Sequence, residues 1–156
     1  MTREEIKTHN IIYIINQDFF GWGVDKMFHI FESKLERKTF GGSAFIEIQY
    51  CKIKQNTKIK KIVSLHMIQY WKDDSLYIYL DDIEEFYASY KDIFSDGIYN
   101  NLKHGNVDLY GINYYSPQQL NEIIDKIEKQ KPSDYIVLLR WLKQGTSYNG
   151  FYILGI

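Results

Sequence analysis

Four carboxylates within five residues, Asp81, Asp82, Glu84 and Glu85, are the side chains best suited to do chemistry in this chain. Two such groups can hold a divalent metal for phosphodiester cleavage, or divide the roles of general acid and general base. Their spacing argues against both. Neighbouring residues on a helix or strand point in different directions, and carboxylates are common at a helix start, where the helix dipole favours them. Asp82 is therefore expected as an N-cap, with Glu84 and Glu85 in the first turn. His9, His29, His66 and His104 are far apart and form no HExxH pair. An enzyme built on His66 would need that ring to meet the Asp81–Glu85 carboxylates in one pocket. Cys51 is the single cysteine, which rules out an intrachain disulfide and a cysteine zinc cluster. On a strand it is expected to be a small core residue. Gly21 and Gly23 are expected as turn glycines: Lys26 stands where a dinucleotide fingerprint needs its third glycine, and no P-loop Lys-Thr pair follows. No serine lies in a G-x-S-x-G elbow. The expectation is a protein without catalytic, cofactor or metal residues, and so not an enzyme.

Charge is distributed more unevenly than the net value of -1 suggests. Asp73 to Asp96 carries eight of the chain's 20 carboxylates against one lysine, Lys91, while Lys52 to Lys61 carries five lysines and no acid. Asp92 and Asp96 fall near the end of the helix expected from Ile83 to Phe94, where the dipole disfavours a carboxylate. They need another explanation, and a partner-binding surface supplies one. Asp81, Glu85, Asp92 and Asp96 recur at spacings of four and seven along the outer side, with Tyr87 and Tyr99 beside them. Tyr77, Tyr79 and Tyr90 are further candidate anchors. The lysines are better explained as protection of exposed strands against edge-to-edge pairing. The competing explanation is phosphate binding, with Tyr50, Tyr70 and Trp71 stacking on bases.

The elements that must position these groups follow from periodicity. Ile11 to Ile15 reads as a buried strand, too short for a signal-peptide core or a bilayer span, so a cytoplasmic protein is the default. Val24, Met27, Phe28, Phe31 and Leu35 predict an amphipathic helix over 23–38. Ser43 to Tyr50 alternates, with Ala44, Ile46, Ile48 and Tyr50 on one face and Glu47 and Gln49 on the other. Ile62 to Trp71 alternates similarly, which predicts a long hairpin with a lysine-studded tip near Gln55-Asn56-Thr57. With the strand Leu76 to Leu80 this would make a three-strand antiparallel meander. One short strand is expected at Val107 to Ile112. Ser116-Pro117-Gln118-Gln119 starts a helix with a capping box and proline at its first position, and Pro132 stops it. Ser133-Asp134 then caps a helix from Tyr135 to Lys143, although the run YIVLLRWL is also compatible with a buried strand. Tyr148 to Ile156 closes the chain as a strand, with Gly150 and Gly155 as close-packing points. The whole predicts one α+β domain over residues 1–156, a central, mainly antiparallel sheet packed by three to four helices.

Size, composition, helix-borne carboxylates and the closing NGFYILGI strand together resemble the immunity proteins of bacterial polymorphic-toxin and contact-dependent growth inhibition systems. The resemblance implies a cytoplasmic inhibitor that binds a cognate toxin domain, and it assigns no role to any individual residue; the acidic surface adds the expectation that this domain is basic and attacks nucleic acid. A fast, steered and selective encounter is what an acidic, tyrosine-rich surface provides. The alternatives are a nucleic-acid-binding accessory protein using Lys52–Lys61, and the small enzyme described above. No membrane partner is expected, and the near-zero net charge makes nucleic acid the weaker choice.

Overall fold

The computed structural model describes residues 26–156. Six strands form one antiparallel sheet: β1 (Phe45–Tyr50), β2 (Leu76–Tyr79), β3 (Gly97–Ile98), β4 (His104–Gly105), β5 (Ile112–Tyr115) and β6 (Phe151–Leu154), in the order β2-β1-β6-β5-β3-β4. Five α-helices occur among the described residues: α1 (Lys34–Gly41), α2 (Ile59–Ile62), α3 (Ile83–Tyr90), α4 (Pro117–Gln130) and α5 (Tyr135–Gln144). The chain is an α+β domain, as its sequence predicts. The strand Ile11–Ile15 and the turn at Gly21 and Gly23 lie outside the described residues.

The chain's last strand occupies the middle of the sheet. β6 pairs with β1 (Ile48 opposite Ile153) and with β5 (Tyr114 opposite Tyr152). Entry into β6 depends on Gly150, whose φ of 81° is left-handed and whose missing Cβ would strike the Tyr115 carbonyl oxygen. Inward residues Ile46, Ile48, Leu76, Ile78, Phe151 and Ile153 form the main core with α3, α4 and α5. α4 begins as expected: Ser116 Oγ accepts from Gln119 N at 3.2 Å, and Gln119 Oε1 accepts from Ser116 N at 2.8 Å. Tyr135–Gln144 is helical and buries Val137, Leu138, Trp141 and Leu142.

The opposite sheet face is also covered, and this changes the middle of the chain. Ile112, Tyr114, Tyr152 and Leu154 present a second apolar surface. The connection from β1 to β2 folds over it, burying Ile62, Val63 and Ile68. The expected strand Ile62 to Trp71 is therefore part of a cover that starts with α2 and continues through a 3-10 turn at Leu65–Met67, and the three-strand meander with its lysine hairpin does not form. The turn at Gln55-Asn56 is present, with Asn56 at a φ of 71°, but it leads into α2.

The helix predicted over 23–38 is also corrected. Met27 to Phe31 runs extended, and His29 exchanges two backbone hydrogen bonds with Tyr77, at 2.9 and 2.8 Å, on the open edge of β2. Only after Ser33, whose hydroxyl accepts from Glu36 N at 3.0 Å, does α1 begin. Leu35 is left 72% exposed. The strand expected at Val107–Ile112 starts later, at Ile112; Val107 is buried, and its N–H donates to the Phe94 carbonyl at 3.0 Å.

Candidate partner-binding surface

Helix α3 packs Phe86 and Tyr90 against the sheet, which turns its other side to solvent. Glu85 lies on that outer side, Asp81 precedes it in a 3-10 turn at Leu80–Asp82, and Asp92 follows the helix in the turn after Tyr90. All three are exposed, as are Glu84 and Asp96. Asp82 stands at the N-cap position but makes no side-chain cap bond, because the 3-10 turn already carries the chain into the helix. Glu84 and Glu85 do occupy the first turn.

The four acidic candidates differ in what holds them. Glu85 accepts a hydrogen bond from Ser133 Oγ at 2.6 Å, tying α3 to the loop before α5. Asp96 lies beyond the helix, which ends at Tyr90. Its Oδ1 is 3.1 Å from His104 Nδ1. Gln119 Nε2 donates to the Asp96 backbone carbonyl at 2.7 Å. The charge of Asp96 is thus set against β4 and the start of α4. Asp81, Glu84 and Asp92 make no hydrogen bond or ion pair with any described residue.

The tyrosines divide more sharply. Tyr87 is half-buried on the flank of α3 away from Glu85, with Lys91 Nζ 5.9 Å from its ring centre. Tyr99 is also half-buried, and its hydroxyl donates to the Asn106 carbonyl at 2.5 Å. Its pKa is raised, first by desolvation and then by the charges of Asp108 and Tyr87. Tyr77, Tyr79 and Tyr90 are not surface anchors. Tyr77 and Tyr79 point to the sheet face opposite α3, where they pack with Phe45. Tyr90 is fully buried, and its hydroxyl donates to the Ser133 carbonyl at 2.6 Å. Burial lifts its phenol well above the ordinary range.

His66 stands in the cover on the second sheet face, whereas the Asp81–Glu85 carboxylates are on the helix face, so the two do not converge. Among the described residues no group of three or more His, Cys, Asp or Glu side chains is placed to hold a metal ion, and no helix is long and apolar enough to cross a membrane. Cys51 is buried 3.6 Å from the Tyr152 hydroxyl, and burial pushes its thiol up. Lys54, Lys58, Lys60 and Lys61 project from the cover without ion pairs among the described residues, while Lys52 pairs with Asp74 at 2.6 Å.

Two features carry no periodic signal in the sequence. Glu47, expected on an outward face, is only 2% exposed. Its Oε1 accepts from Trp71 N at 2.7 Å. Its Oε2 accepts from Ser75 Oγ (2.7 Å), Gln49 Nε2 (2.9 Å), Lys72 N (3.0 Å) and the Tyr77 hydroxyl (3.2 Å). Beside it, the Arg37 guanidinium lies 5.2–5.5 Å from the rings of Phe45, Trp71 and Tyr77. The second is Asp134, which sits at a φ of 56° and does not cap α5. Its Oδ2 accepts from Met27 N at 2.9 Å and Phe28 N at 3.2 Å, fastening the segment before α1 to the helix layer. Comparison with known proteins finds no matching family model, no matching curated protein and no matching solved structure.

Proposed function

We propose that this protein is a toxin-neutralising immunity protein that binds a basic, nucleic-acid-attacking toxin domain through the outer side of α3. The reading rests on one observation: Asp81, Glu84 and Asp92 are exposed on α3 and the turns at its two ends, and no cation among the described residues pairs with them. Unpaired charges of one sign repel one another in the free protein and gain most when an opposite surface arrives. Tyr87, packed against the core on another flank of α3, and Tyr99, held by Asn106, add half-buried aromatic area with little rotamer freedom left to lose. Glu85 and Asp96 contribute charge from positions already fixed by Ser133, His104 and Gln119.

The test is inhibition of the toxin domain encoded by the neighbouring gene, measured together with its binding affinity. Reversing Asp81, Glu84 and Asp92 to lysine should weaken binding by roughly tenfold or more per charge and slow association most. Unchanged inhibition by a folded triple variant would remove this surface from the interface. A second reading has its own support in Lys54, Lys58, Lys60 and Lys61, which are exposed and without ion pairs among the described residues. It requires salt-dependent binding of single-stranded RNA or DNA, and a protein that binds neither at low salt does not have this function.

A further inference from the structure

On the sheet face away from α3, a cleft of about 260 Å³ opens between β1 and its cover, walled by Gln49, Ile53, Met67, Gln69, Lys72 and Tyr152. Gln49 is 4% exposed. Its amide nitrogen donates to Glu47 Oε2 at 2.9 Å and to the Gln69 carbonyl at 2.8 Å. Both partners are acceptors, so the amide has one orientation and its oxygen is left over. No described residue donates to that oxygen, on a side chain that lines the cleft. Lys72 supplies the opposite need. Its ammonium donates to the neutral Gln69 Oε1 at 3.2 Å and has no carboxylate within ion-pair distance among the described residues. The two unmet groups meet at one residue: the Gln69 backbone carbonyl holds Gln49, and its side-chain carbonyl holds Lys72. The Glu47 carboxylate, which accepts from the Gln49 amide at 2.9 Å, favours positive charge beside Gln49, and the Lys72 ammonium favours negative charge; the second lysine of the lining, Lys52, is already paired with Asp74 at 2.6 Å. Ile53 and Met67 add apolar wall.

We propose that this cleft binds a free amino acid as its zwitterion. The ligand's ammonium donates to the Gln49 oxygen, its carboxylate meets the Lys72 ammonium, and a small apolar side chain lies against Ile53 and Met67. The site is independent of the α3 surface and lies on the other side of the sheet. A water molecule would satisfy Gln49 but would leave Lys72 without a charged partner, so the two unmet groups together select for a dipolar ligand.

The experiment is a nuclear magnetic resonance titration of the isotope-labelled protein with the free amino acids, the corresponding α-hydroxy acids, and acetate. The expected result is saturable shifts at the Gln49 and Gln69 amides with an apolar amino acid at millimolar concentration or below. The hydroxy acid should bind more weakly and acetate more weakly still. Lys72→Met, a partly exposed position whose backbone bonds are unaffected, should weaken binding by about tenfold or more. No saturable shift at the cleft with any amino acid overturns the proposal. Equal binding by acetate reduces the site to an anion patch and overturns it too, and so does a Lys72→Met variant of wild-type affinity. Circular dichroism of that variant verifies its fold, and the wild-type titration stands without it.

Discussion

Replacing Glu47 with glutamine tests most directly how β1 holds the cover over the second sheet face. The substitution keeps size and shape but leaves one acceptor oxygen in place of two. That oxygen does best at the Oε2 position, where Gln49, Lys72, Ser75 and Tyr77 converge. The new amide nitrogen then confronts the Trp71 N–H, donor against donor. A buried N–H without an acceptor costs about 1–3 kcal/mol, and the four remaining bonds lose the strength that the negative charge gave them. The sum is about 3–5 kcal/mol, a large share of the roughly 5–15 kcal/mol that a domain of this kind has in total. In a chain of this size that corresponds to a fall in Tm of roughly 6–20 °C. Urea unfolding followed by far-ultraviolet circular dichroism gives the loss directly, and tryptophan fluorescence reports on Trp71, which stacks on Tyr77. Ser75→Ala should cost only about 1 kcal/mol, because Glu47 keeps four other donors. Its effect should shrink further in the Glu47→Gln background, since the two residues share a bond. A Glu47→Gln variant within about 1 kcal/mol of wild type, no worse than an average substitution, would refute the view that this carboxylate organises the cover.

Three further outcomes follow from local geometry. Gly150→Ala should prevent folding or cost well over 2 kcal/mol, roughly the strain of a left-handed φ plus a collision with the Tyr115 carbonyl, as read by thermal unfolding; a variant of normal stability would show that β6 enters the sheet by another path. Ser116→Ala removes the capping box and should cost about 1 kcal/mol, with helicity lost first at the start of α4 in hydrogen exchange; uniform exchange would contradict this. Asp134 has its pKa raised above 3.8 by burial, so ionisation costs the folded state more than the unfolded one. Wild-type stability should therefore decline as pH rises from about 4 through the raised value. Asp134→Asn can place its amide oxygen on the Met27 and Phe28 N–H groups, and it lacks that slope; parallel stability curves for the two proteins would refute the assignment.

What the sequence made legible was local. Ser116-Pro117-Gln118-Gln119 specifies a helix start through bonds among four neighbouring residues, and that start is present in full. The alternation of Phe45 to Tyr50, the apolar set of Leu76 and Ile78, and the need for glycine at 150 are likewise short-range. The cover over 51–71 was not legible, because its shape depends on a surface built by β5 and β6, some fifty to ninety residues later in the chain. Without that surface, Val63, Leu65 and Met67 alternate like a strand. With it, adjacent Ile62 and Val63 are buried together while Leu65 remains 66% exposed. The same second face buried Glu47. A polar residue in an alternating strand signals solvent only when the sheet has one covered side. The helix expected over 23–38 failed for a related reason. The open edge of β2 offers His29 two backbone hydrogen bonds, and this tertiary pairing overrides a helical pattern whose Leu35 has nothing to pack against.

The acidic stretch around α3 is divided by its contacts as well. Spacing alone grouped Asp81, Glu85, Asp92 and Asp96, and left only Asp92 and Asp96 unexplained by helix-start electrostatics. The contacts regroup them. Asp96 has a structural role against His104 and Gln119, and Glu85 has one against Ser133. The charges without a partner among the described residues are Asp81, Glu84 and Asp92, on α3 and the turns at its two ends. A carboxylate fixed to its own fold has part of its charge already answered and contributes less to a new partner, whereas an unanswered one contributes its full charge for little additional ordering. For that reason, under the function proposed above, reversing Asp81, Glu84 and Asp92 should reduce binding of the toxin domain more than reversing Glu85 and Asp96, while costing less stability. Measuring both variants separates a surface kept for a partner from one kept for the fold.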